Sequence, residues 1–145
     1  MSVEENVKVI TEAVQALNAR DWEGYGAAFS ESLVAYAPGL TEPARGRAAR
    51  LQYVQGIIQA FPDGVIEIAR TFGSGDLLGV ELTFQGTHEG PIPGPDGTML
   101  PPTKRVVRFP YCLILEFDSG VVVELHEYFD FLAVYSQIGD SGSDD

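Results

Sequence analysis

Apolar residues recur at helical spacing over the first sixty or so positions and at strand spacing over most of the rest. Val3, Val7, Ile10, Val14 and Leu17 alternate four- and three-residue steps, which predicts an amphipathic helix. Asn18 to Asp21 interrupts it, and Asp21 is placed to cap a second short helix with Trp22, Tyr25 and Phe29 as its apolar stripe. Pro38, Gly39 and Pro43 mark "APGLTEPARG" as a loop. A third helix is predicted over roughly residues 44–60, with Leu51, Val54, Ile57, Ile58 and Phe61 inward. Pro62 stops it, and "PDG" reads as a turn.

Beyond that turn the period changes. "VIEIARTF", "LLGVELTFQGTH", "VVRFPYCLILEF" and "VVVELHEYFDFL" are rich in β-branched and aromatic residues. Asp118-Ser119-Gly120 suits a hairpin turn between the last two. Helices followed by an antiparallel meander predict an α+β fold in which a curved sheet wraps the helices. A pocket between the concave face and the helices is the natural ligand site. At 145 residues the chain suits one domain, here residues 1–139, with "GDSGSDD" ending in a disordered acidic tail over 140–145.

Composition narrows the partners. A formal net charge of -12 repels phosphate backbones and anionic lipid heads, so neither nucleic acid nor a membrane is expected. The single cysteine, Cys112, lies in an apolar run and cannot form an internal disulfide; it reads as core. The first residues lack the apolar core of a signal peptide and no run is long enough to cross a bilayer. A cytoplasmic protein is the expectation. Two histidines without metal-ligand spacing, no phosphate-cradling glycine loop and no nucleophile elbow point to no metal and no cofactor.

"LVAYAPG", "ARGRAARLQYVQGIIQAFPD", "FQGTHEG", "PPTKRVV" and "VVELHEYFDFLAVYSQIG" occur in that order over nearly the whole chain. The set resembles the SnoaL-like polyketide cyclase (ester cyclase) group of the nuclear-transport-factor-two-like superfamily. The resemblance implies a cone-shaped α+β barrel, usually dimeric or tetrameric, with a deep apolar pocket. It further implies cofactor-free aldol ring closure with an acidic residue as general acid/base. The chain departs from similar sequences in the longer loop "PIPGPDGTMLPPT" and in His126, where relatives often carry Trp.

Along the last strand Glu124, His126, Tyr128 and Asp130 share one parity, and Val123, Leu125, Glu127 and Phe129 the other. Spacing alone reads Asp130 as a solvated cap of the C-terminal segment. The resemblance turns it into the pocket, where apolar walls would make it a general acid/base and His126 or Tyr128 would orient it. His88 follows Val80, Leu82, Phe84 and Gly86 on an apolar parity. It is either a core histidine held by the backbone or a pocket group that polarises a carbonyl. Trp22, Tyr36, Tyr53, Phe61 and Phe84 are candidate pocket walls, Met99 and Leu100 a rim on the Pro-rich loop, and Arg108 a partner for Asp130. Arg45, Arg47 and Arg50 read as a solvated face.

These readings predict a cofactor-free cyclase or isomerase acting on a small apolar, polyketide- or steroid-like molecule, with Asp130, His88 and His126 as its chemistry. A non-catalytic binding module of the same fold is the second reading. Epoxide hydrolysis with Asp130 and Arg108 is the third, and Pro110 removes the second acid that it needs near Arg108. In "VVRFPYCLILEF" both parities are apolar: Val107, Phe109, Tyr111, Leu113 and Leu115 on one, Cys112 and Ile114 on the other. Both faces therefore need covering, and a homodimer is the simplest cover.

Overall fold

A computed structural model of the chain describes residues 2–139, so the predicted acidic tail lies outside the described residues. Three helices come first, interrupted by two strands: α1 Val3–Asn18, α2 Trp22–Gly26, β1 Phe29–Tyr36, β2 Ala44–Arg45 and α3 Arg47–Ala60. Then follow β3 Val65–Ser74, β4 Leu77–Thr87, β5 Ile92–Pro93, β6 Met99–Leu100, β7 Val106–Asp118, β8 Val121–Tyr128 and α4 Phe131–Gln137. Ser2 and Glu5 close a capping box on α1, and the Asp21 carboxylate accepts from Gly24 N–H at 2.9 Å to start α2.

Six strands form one open sheet in the order β2-β1-β8-β7-β4-β3. It is mostly antiparallel, curved over the helices, and not closed into a barrel. The predicted meander is present as β3, β4, β7 and β8. β1 was not expected: Phe29 reads as the end of the second predicted helix, and residues 30–36 are assigned no element; the strand adds to the sheet parallel to β8, a pairing between the two ends of the chain. Ser119 and Gly120, both at positive φ, make the β7–β8 turn as expected.

Alternation along the strands sorts their side chains. Leu78, Val80, Leu82 and Phe84 of β4 face the helices, as do Val107, Leu113, Leu115 and Phe117 of β7. The apolar parity Val107 to Leu115 is therefore the concave core face. Ile10, Ala13 and Leu17 of α1 and Val54 of α3 complete the core. Among the described residues no helix is long and apolar enough to cross a membrane.

β5 and β6 form a separate two-stranded ribbon within the Pro-rich loop. The Tyr135 hydroxyl donates to Pro93 O at 2.8 Å and ties the ribbon to α4. Gly90 N–H donates to Ala60 O at 3.0 Å, and a Cβ on Gly90 would collide with the Gln59 carbonyl. This close backbone approach at Gly90 seats the loop on the end of α3.

Candidate active site

The site grows from three side chains that each stand on an apolar stripe. Arg50 precedes Val54 and Ile57 on one face of α3, at helical spacing. Glu127 follows Leu125 on the concave parity of β8. Tyr25 projects from α2 and packs its ring against Phe29 at 5.0 Å and edge-on to Trp22 at 6.3 Å. Folding buries all three.

They meet on one wall of a cavity between the helices and the sheet. Ile10, Val14, Ile57, Leu82, Phe84 and Phe109 are among its apolar walls, and Tyr25, Arg50, Tyr111 and Glu127 are its polar groups. The cavity volume is about 70 Å³. At about 10–15 Å³ each that is room for about five waters; a ring ligand, which needs on the order of 150 Å³, enters only as wall side chains move apart.

Arg50 organises the polar wall. Its Nη1 lies 2.8 Å from Glu127 Oε1, and both side chains are at least nine-tenths buried. The N–H is not aimed along that contact, so Oε1 has an ion-pair partner and no aligned hydrogen bond. Arg50 Nε donates to the Tyr25 hydroxyl at 3.2 Å, and the guanidinium sits 5.3 Å from the Tyr53 ring centre. Burial works against the arginine charge, but the Tyr25 oxygen and the Glu127 carboxylate outweigh it and shift the pKa upward. Burial also pushes the Tyr25, Tyr53 and Tyr111 hydroxyls up, so they stay protonated at neutral pH. The arrangement is a permanent cation, a carboxylate and phenolic donors, held in an otherwise apolar chamber.

Only part of the expected set is here. Phe84 lines the cavity; Tyr53 does not, and its ring packs under the Arg50 guanidinium. Phe61 is one layer back, packed on Phe84 and His88. Trp22 is half-buried on the far side of Tyr25.

Asp130 does not enter the cavity. It is exposed, and its carboxylate accepts from Leu132 N–H at 2.9 Å as the N-cap of α4. That is the outcome spacing alone predicted, because β8 ends at Tyr128 and the chain turns into a helix. Its parity-mates face outward too. His126 is stacked on Tyr36 with ring centres 4.5 Å apart, lies 6.4 Å from Tyr128, and has Nε2 2.7 Å from Glu124 Oε2. Arg108 is exposed and makes no pair with Asp130; its Nη1 donates to Gln85 at 3.3 Å. Met99 is more than half exposed on the ribbon and lines no part of the cavity.

His88 is fully buried outside the cavity. Its Nδ1 accepts from Thr103 N–H at 3.2 Å, while its own N–H and carbonyl bond to Arg105 and Lys104. It therefore pins both ends of the Pro-rich loop together. Burial holds its pKa below the ordinary histidine value, with the Gly90 backbone acting the other way. The unfolded chain, titrating near pH 6.5, then binds more protons than the folded one. His88 stabilises fully above about pH 6.5, and that stability is lost as pH falls below it. In His88→Asn, whose amide oxygen can replace the Nδ1 acceptor, stability should fall less steeply between pH 7 and 5. Urea melts should show the slope reduced by up to about 1.4 kcal/mol per pH unit.

Arg50 and Glu127 were missed. Their signal was there: each is a lone charge on an otherwise apolar stripe, where solvation cannot account for it.

Among the described residues no cluster of three or more His, Cys, Asp or Glu could hold a metal. No curated protein sequence matches the chain. Solved structures share its fold. AclR from Streptomyces galilaeus, a candidate hydroxylase, superposes with a TM-score of 0.81 at 24% identity, covering 96% of this chain and 98% of its own. A candidate SnoaL-like polyketide cyclase from Jannaschia sp. CCS1 gives 0.82 at 19% identity, covering 93% and 92%. IdmH, a candidate polyketide cyclase from Streptomyces antibioticus, gives 0.80 at 23% identity, covering 92% and 98%. A family model for SnoaL-like polyketide cyclases matches residues 8–138. A match running from within α1 past the end of α4, on this architecture, makes the chain a member of the SnoaL-like polyketide cyclase family.

Proposed function

We propose that the protein is a cofactor-free acid/base enzyme of cyclase type, acting on a small apolar, enolisable molecule held in the cavity, with Glu127 as the working carboxylate. Family membership supports a cyclase-type activity. The observation that carries the residue assignment is a buried carboxylate on an apolar cavity wall whose Oε1 accepts no aligned hydrogen bond. In the reaction Glu127 removes a proton from a carbon next to a carbonyl, and the C–H electron pair forms the enolate. The enolate carbon attacks a second carbonyl, a C–C bond forms, and the new alkoxide takes the proton back from Glu127. Nothing is consumed, and Arg50 remains the counter-charge throughout.

2-Tetralone in deuterated water is a direct test, because an acid/base site of this kind exchanges the protons beside its carbonyl. Proton NMR should show exchange above the buffer rate. Binding without exchange would favour the non-catalytic module.

The working form on this reading is a homodimer of one domain per chain. Strand register aligns Tyr36, His126, Ile114, Gly79 and Phe72 in one row across the convex face, and Tyr36, Tyr128 and Phe72 are each at least 40% exposed. Aromatic rows of this kind are typical interface cores. Light scattering at micromolar concentration should give twice the chain mass, and Tyr36→Glu with Tyr128→Glu should give a monomer. A monomeric wild type would refute the dimer.

A further inference from the structure

Tyr25 has a feature the acid/base reading does not use. Its oxygen receives the Arg50 Nε–H, so its own hydrogen must point elsewhere. No hydrogen bond from it to a protein acceptor occurs among the described residues, although the side chain is only 4% exposed. The ring is fixed between Trp22 and Phe29, and it lines the cavity. A buried phenol with its acceptor side occupied by a cation is a polarised donor awaiting an acceptor, and the cavity is where one can arrive.

Resting on Glu127 as the base, we propose that Tyr25 is a second catalytic residue, donating its phenolic hydrogen to the carbonyl oxygen of the substrate. One guanidinium holds both groups: Nε faces the Tyr25 oxygen and Nη1 the Glu127 carboxylate. Base and donor are thereby set a fixed span apart, as a C–H and its neighbouring carbonyl require. When Glu127 takes the proton, the C–H pair becomes the new C=C bond and the carbonyl pair moves onto oxygen. That oxygen keeps the Tyr25 hydrogen bond, and the Arg50 charge behind the phenol offsets its charge. The phenol retains its proton; the one Glu127 took returns to the product alkoxide. Arg50 acts through Tyr25 and is a positioning residue. The ligand class follows: a small apolar ketone whose only strong acceptor lies at the end that reaches Tyr25.

The test pairs 2-tetralone exchange with binding of 2-naphthol, a stable analogue of its enol. Tyr25→Phe should lower the exchange kcat by about 10²–10³-fold, the usual effect of losing one oxyanion donor, with KM changed only a few-fold. It should also weaken 2-naphthol at least tenfold. Tyr111→Phe, which removes a cavity phenol without the Arg50 contact, should do much less. 3-Fluorotyrosine placed at position 25 gives a readout independent of how well Tyr25→Phe folds: its fluorine resonance should shift on adding 2-naphthol. Wild-type exchange rates in Tyr25→Phe, or an unmoved fluorine signal while 2-naphthol binds, would overturn the role of Tyr25 and leave Glu127 standing. No exchange by the wild type would remove the acid/base reading, and this inference with it.

Discussion

Glu127→Gln should lower exchange of the 2-tetralone protons by about 10²–10⁴-fold, the range that general-base catalysis supplies. The amide has nearly the volume of the carboxylate and cannot take a proton. The variant should fold, because the Tyr25 oxygen and the Tyr53 ring still hold the Arg50 guanidinium. A lower melting temperature is expected, since the arginine loses its counter-charge. A loss of rate confined to KM would mean that Glu127 binds substrate and does not react with it.

The second large effect is on stability. Arg50→Met should destabilise the protein by about 3–5 kcal/mol, since it leaves the Glu127 carboxylate buried without a counter-charge. For a chain of this size the melting temperature should drop on the order of 10 °C. Combining Arg50→Met with Glu127→Leu removes the stranded charge, and the double variant should regain most of that loss, because apolar replacements of buried ion pairs are often neutral or better. The double variant should also be inert towards 2-tetralone. Stability recovered without activity would show that the pair is kept for chemistry and not for the fold. Equal losses in the single and double variants would show that it is structural.

The fold was largely legible, because its strongest signals are local. The α1 stripe, the Pro62 stop and the Ser119-Gly120 turn all stand where their residues put them. β1 was not, since its "FSESLVAY" carries two serines and a glutamate in its first half, and its partner β8 lies at the other end of the chain. The site was legible only in halves. The alternation along β8 was read correctly, but parity does not say which face is inward. The set with more polar groups, Glu124 to Asp130, drew the reading outward, whereas Glu127, a single carboxylate among apolar neighbours, is the acid that faces the cavity. Arg50 was grouped with Arg45 and Arg47, yet the helical period places it with Val54 and Ile57. Its pairing with Glu127 is a product of the tertiary fold, and no local pattern encodes it.

The measurement that bears most directly on this account is 2-tetralone exchange in Glu127→Gln and Asp130→Asn side by side. Asparagine caps a helix about as well as aspartate, so Asp130→Asn should keep its stability. The account predicts wild-type exchange in Asp130→Asn and almost none in Glu127→Gln. Exchange that survives in Glu127→Gln and disappears in Asp130→Asn would contradict it, and would return the chemistry to the exposed end of β8.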